Sequence, residues 1–233
     1  MKFKAFFPAF LLCVLVPVAD AQGVFAKAIE KAQRTADQES YGGEINLPDG
    51  LARFFATTLS AAGTSEPPPL VMPSGVVKLA EPLIASGKRE SADALASQLK
   101  KLLADALPPA AQALQGASAS IATNELASLR ASQNALTDGL RKSSEGKLRE
   151  ELRPLVRQAA ESAGLDATWT TFLTAADAKL ANPKAALSAV EDQIADQALE
   201  HVFKVLARQE RIYRAHPEQA EDKIVTAAFR TLK

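Results

Sequence analysis

The apolar residues of this chain return at intervals of three and four, not two. Along Ser91–Leu107 they are Ala92, Leu95, Leu99, Leu102, Leu103 and Ala106, a single stripe on a helix of 3.6 residues per turn. Alternating runs of Val, Ile, Thr and aromatics, which would announce strands, are missing. Alanine, by contrast, occurs 46 times and leucine 29 times, and both are strong helix formers. A second stripe crosses Asn134–Ala163 through Leu148, Leu152, Leu155, Val156, Ala159 and Ala163. Pro154 predicts a kink inside it and Gly164 its exit. A third, Glu191–Ala215, carries Ile194, Ala198, Leu199, Val202, Phe203, Leu206 and Tyr213, between a break at Asn182-Pro183 and a stop at His216-Pro217. Pro217 suits the first turn of a last helix that buries Ile224, Val225, Ala228 and Leu232. Shorter helices are expected at Val24–Glu39, Leu51–Ala62, Val76–Ser86 and Asp166–Leu180, with Asp166 as N-cap of the last. The fold class is therefore all-α, an irregular multi-helix bundle of about seven to nine helices.

The first residues read as an address. Lys2 and Lys4 precede an apolar run from Ala5 to Val18, and Ala19-Asp20-Ala21 places small residues where a signal peptidase reads. Spanning the ~30 Å of a bilayer core takes about 20 apolar residues; this run is shorter and is interrupted by Pro8 and Pro17. The expectation is a signal peptide over 1–21, cleaved after Ala21, and a periplasmic or secreted protein that is not an integral membrane protein. Cleavage would remove Cys13, the one cysteine, and with it any thiolate chemistry or disulfide. Residues 22–69 read as N-terminal helices and a Pro-rich linker, Thr64-Ser65-Glu66-Pro67-Pro68-Pro69, which is stiff and extended. Residues 70–233 read as the main helical bundle. Ile45–Leu51 and Leu70–Val76 echo each other as two similar helix starts, with Asp49 or Ser74 able to cap.

Charge and motifs exclude more than they assign. Lys plus Arg equals Asp plus Glu at 27 each, so there is no basic surplus for nucleic acid. His201 and His216 lie too far apart for a His-x-x-x-His metal pair. Asp192, Asp196 and Glu200 share a face, but Lys204 and Arg208 continue that row as ordinary i,i+4 charge pairing. Ser143-Ser144 reads as helix-surface hydrogen bonding, and no nucleophile elbow or phosphate loop occurs. Trp169, Phe172 and Leu173 read as core. No catalytic residue, metal site or cofactor is assigned. One feature stands out, an excess of basic residues between Arg141 and Ala160 in a neutral chain. Lys142, Arg149, Arg153 and Arg157 form a stripe beside the apolar face. It would either pair with acids of a neighbouring helix or dock an anionic partner, such as a phospholipid headgroup, a polysaccharide acid or another protein.

The run Ala135-Leu136-Thr137, Arg141, Ser143-Ser144 and Pro154-Leu155-Val156 resembles an exported all-helical bacterial family, domain of unknown function 4197. Ala198–Phe203, Glu210-Arg211-Ile212 and Pro217 are similar to its last two helices, and Leu70-Val71-Met72-Pro73 to a helix start, so the resemblance covers roughly Leu51–Lys233. Two departures stand out: Gly139-Leu140 replaces an aromatic pair, and Gln98–Leu103 replaces a Met-Asn-Arg-Ala-Ala-Glu motif. The resemblance implies an exported helical fold and no reaction. Residues and resemblance together lead to the expectation of a non-catalytic binding or interaction module of the envelope, its partner an envelope protein or an anionic surface. The alternative is a carrier of an apolar, lipid-like ligand between helices.

Overall fold

Helix periodicity becomes helix throughout the computed structural model, which describes residues 46–119, 121 and 126–232. The expected signal peptide and the helix expected at Val24–Glu39 lie outside the described residues. Among the described residues there are eight α-helices and no strand. They are α1 Leu47–Gly63, α2 Ser74–Ala85, α3 Glu90–Ser118, α4 Leu126–Leu129, α5 Ala135–Ser162, α6 Leu165–Ala175, α7 Pro183–Ala215 and α8 Lys223–Thr231. A short 3-10 turn, Pro217–Gln219, joins the last two.

The two longest helices, α3 and α7, pack against each other; α1, α5 and α6 lie on α3, and α1, α5 and α8 on α7. The stripe read on α3 is buried as expected, with Leu95, Leu99 and Leu103 fully inside. Trp169, Phe172 and Leu173 of α6 are also buried, and the Trp169 indole donates to the Pro183 carbonyl at 3.1 Å. No helix among the described residues is long and apolar enough to cross a membrane.

Helix α1 belongs to the same compact unit as the rest, because Phe54 meets Phe229 of α8 at 4.9 Å and Tyr213 of α7 at 6.0 Å between ring centroids. Gly50 permits that approach. A Cβ there would stand 2.5 Å from the Ala228 Cβ and 2.9 Å from the Ile224 carbonyl oxygen.

Several helix ends also move, each for a local reason. Helix α3 passes through Pro108 and Pro109, because Ala110, Ala111 and Leu114 beyond them are buried. Asn182-Pro183 is the start of α7: Asn182 Oδ1 accepts from the Ala185 amide at 3.0 Å, and Pro183 needs no amide partner in the first turn. Pro217 opens the 3-10 turn instead of α8, whose cap is Asp222, accepting from the Ile224 and Val225 amides. Gly164, in the left-handed region at φ 70°, both ends α5 and leads into α6, leaving Asp166 in the first turn. Leu155 and Ala163, read as buried, are exposed; Leu148, Leu152, Val156 and Ala160 form the inner face of α5. The stripe follows the i,i+4 row and leaves Leu155 on the outer side.

Helix α2 is held less than its neighbours. Fully burying a Leu, Val or Phe contributes about 1.5–3 kcal/mol. Helix α1 buries Leu51, Phe54, Phe55 and Leu59, whereas α2 buries Val76 and Leu83 alone.

Candidate functional site

The basic stripe and the acidic row, separate features in the sequence, face each other. Helices α5 and α7 run antiparallel, and their i,i+4 rows interlock through charge. Arg141 Nη1 lies 2.7 Å from Glu200 Oε2 and its guanidinium 4.4 Å over the Phe203 ring. Glu145 bridges Arg141 and Arg149 at 3.6 and 2.8 Å. Arg149 reaches Asp196 at 3.3 Å, Arg153 reaches both Asp196 and Asp192 at 3.8 Å, and Arg157 reaches Asp192 at 2.7 Å and Glu191 at 4.0 Å. Lys142 stands apart. One residue beyond Arg141, it is turned about 100° away, is exposed, and has no ion pair among the described residues. The middle of the seam is loosest, where Arg153 Nε and Asp196 Oδ1 are buried without a hydrogen bond.

At one end of the seam sits Glu191, 6% exposed. Burial pushes its carboxyl up to about 7; Arg157 opposes that, while Asp166, Glu161 and Asp192 reinforce it. Beyond the other end lies a tighter node. Glu210, fully buried, accepts from the amides of Leu136 and Thr137 at 3.0 and 2.9 Å and from the Thr137 hydroxyl at 2.8 Å. Arg214 donates to the same carboxylate at 2.8 and 3.0 Å and to the Leu129 carbonyl at 2.7 Å. Arg130 donates to the Thr231 carbonyl beside it. Asn134 gives α5 no side-chain cap, so Glu210 supplies one from another helix. Sequence reasoning missed this carboxylate. No signal marked it: Asn134 is a favoured capping residue by type, and only the structure shows that its side chain does not cap. Ser143 and Ser144 donate back to the Leu140 carbonyl, as expected of surface hydroxyls. Gln98, in the replaced motif, donates to the Ala163 carbonyl at 2.6 Å.

A third row on α7, Gln193, Gln197 and His201, carries the Pro-rich linker. Both glutamines donate to the Val71 carbonyl, at 3.1 and 2.9 Å, and Gln197 Oε1 accepts from the Val71 amide at 2.9 Å. The Ser65 hydroxyl donates to the Ala62 carbonyl at 2.8 Å, so its lone pair faces His201 Nε2 at 3.0 Å and His201 is the donor. Burial, aided by Lys204, lowers the His201 pKa. His216 lies beyond the helix end beside Glu218 at 3.2 Å. Among the described residues no three His, Cys, Asp or Glu side chains are placed to hold a metal ion.

The apolar surface is uneven. Among the described residues the large exposed apolar side chains are Val71 at 61%, Ile84 at 53%, Leu155 at 48% and Val77 at 39%. Three of these four fall within Val71–Ile84. Val77 and Ile84, seven residues apart, extend one flank of the arc whose centre, Val76 and Leu83, is buried on α3.

The sequence model of one family, described as protein of unknown function (DUF4197), matches residues 50–230. No curated protein and no solved structure matches the chain.

Proposed function

The chain belongs to the DUF4197 family, and we propose that it is an exported, non-catalytic interaction protein of the cell envelope that binds another protein through the apolar flank of α2. The carrying observation is the exposure of Val71, Val77 and Ile84 together on one short segment. Clustered exposed apolar side chains mark interaction sites far more than scattered ones do. A protein partner fits this arc better than a lipid surface does. Glu81 lies beside it, where an anionic bilayer would repel a charge, and it carries no Trp or Tyr anchor. An anionic partner at Arg149, Arg153 and Arg157 is the weaker reading, because it would have to displace carboxylates already facing each guanidinium. Export rests on the Lys2–Ala21 pattern.

A photo-crosslinking residue at Ile84, and in a parallel protein at Lys142, tests this in the envelope fraction. The expected result is a discrete protein adduct from position 84 that disappears when Val77→Glu is added. An adduct from position 142 with none from 84 would overturn it.

A further inference from the structure

Residues 64–89 are fastened to the bundle by two buried side chains, Val76 and Leu83, by partial packing of Leu70, Met72, Leu79 and Ala80 on the core, and by one row of polar ties. The strap Thr64–Pro73 is held to α7 by the side chains of one row. The Gln197 amide pairs with both the N–H and the C=O of Val71, Gln193 adds a second donor, and His201 meets Ser65. Pro67, Pro68 and Pro69 make the strap stiff, so it moves as a piece instead of crumpling. It runs directly into α2, which starts at Pro73 without a side-chain cap. Pro82 inside α2 removes one backbone donor, and only Val76 and Leu83 are buried. The far end is Gly87, at φ 77° with open space around it, closed by the Lys88 amide donating to the Leu83 carbonyl at 2.9 Å.

We propose that residues 64–89 form a latched flap that lifts from α3 and α7 as one unit, hinged at Thr64 and Gly87, with Gln193 and Gln197 as its latch. Lifting presents Val76, Leu79 and Leu83 together with Val77 and Ile84, turning a narrow flank into a whole amphipathic face. That the opened face receives a protein partner rests on the reading of α2 above; the opening itself does not. Protonation of His201 is not the release, because the charged ring still donates from Nε2 to Ser65.

Hydrogen exchange read by mass spectrometry on the full chain tests the flap. The expected result is that amides of 74–85 exchange at least 100-fold faster than those of 95–107 in α3. In Gln193→Ala/Gln197→Ala, with helical content unchanged, exchange across both 70–73 and 74–85 rises about tenfold or more while α7 stays protected. Protection of 74–85 as deep as that of α3 in the unmutated protein would overturn the proposal without any variant. A variant effect confined to 70–73 would overturn the single-unit claim. Loss of the Ile84 adduct with this exchange pattern intact would reject the partner reading and leave the flap standing.

Discussion

The seam between α5 and α7 and the flap at 64–89 are opposites. The seam is rich in charge, and its arginines and acids find one another across the interface or through i,i+4 neighbours. The flap buries Val76 and Leu83 and packs Leu70, Met72 and Leu79 partly on the core, yet it leaves Val71, Val77 and Ile84 exposed, in a stretch whose Pro-rich run and helix start announce no such surface in the sequence. Charged residues on adjoining helix faces are satisfied by each other, so a basic run in a neutral chain is a poor guide to a ligand. Unsatisfied apolar surface is the better one, and it is visible only once the packing is known.

The sharpest break of the seam is Glu210→Ala. It strips two amides and a hydroxyl of their acceptor and leaves Arg214, itself nearly buried, without its carboxylate. Removing one partner of a buried pair costs about 3–5 kcal/mol, so chemical denaturation is expected to show a loss of that size.

Glu191 comes next, with a pH signature. Its carboxyl ionises near 4.5 when unperturbed and near 7 in the fold. Between those values the unfolded chain has lost a proton that the folded one keeps, so stability falls as pH rises from about 4.5 through 7. Glu191→Gln is expected to stabilise the protein at pH 8 by up to about 3 kcal/mol, an advantage that vanishes below pH 5 in thermal melts. His201 acts with the opposite sign. Its lowered pKa costs stability as pH falls below the ordinary histidine range, so His201→Gln should flatten the acid side of the same profile.

Arg153→Ala is a milder cut, because that side chain is half-exposed and its contacts are long. Exposed pairs contribute about 0.2–1 kcal/mol, and urea titration is expected to find a change in that range. Val77→Glu/Ile84→Glu should change stability least, by about 0.5 kcal/mol or less, as exposed substitutions do. A cost of several kcal/mol there would mean that the α2 flank is part of the core.

Much of the fold was legible. The stripes of α3 and α7 emerged at their observed positions, and that of α5 in Leu148, Leu152 and Val156 though not in Leu155 or Ala163, because apolar spacing is a direct image of burial on a long helix. Helix ends were less so. The stripe read over Ser91–Leu107 continues past Pro108-Pro109, where burial of Ala110, Ala111 and Leu114 outweighs the backbone donors that two prolines remove. The join of α1 to the bundle depends on Gly50 meeting Ala228 and on Phe54 meeting Phe229, pairings across most of the chain that no local pattern encodes. Of the candidate site, Arg149, Arg153 and Arg157 were located on one face, but their partners Asp192 and Asp196 were assigned to a different, self-paired row. Both rows were read on isolated helices, where an exposed face and an interhelical face look alike. Glu210 was invisible for the same reason: a buried acid is recognisable only from what surrounds it.

The most direct measurement is the yield of the Ile84 photo-adduct in two backgrounds of equal helical content. In Arg149→Gln/Arg153→Gln the adduct is expected to form as in the unmodified protein, and in Val77→Glu it is expected to be lost. Loss in the arginine variant with retention in Val77→Glu would place recognition on the charged seam and contradict the account.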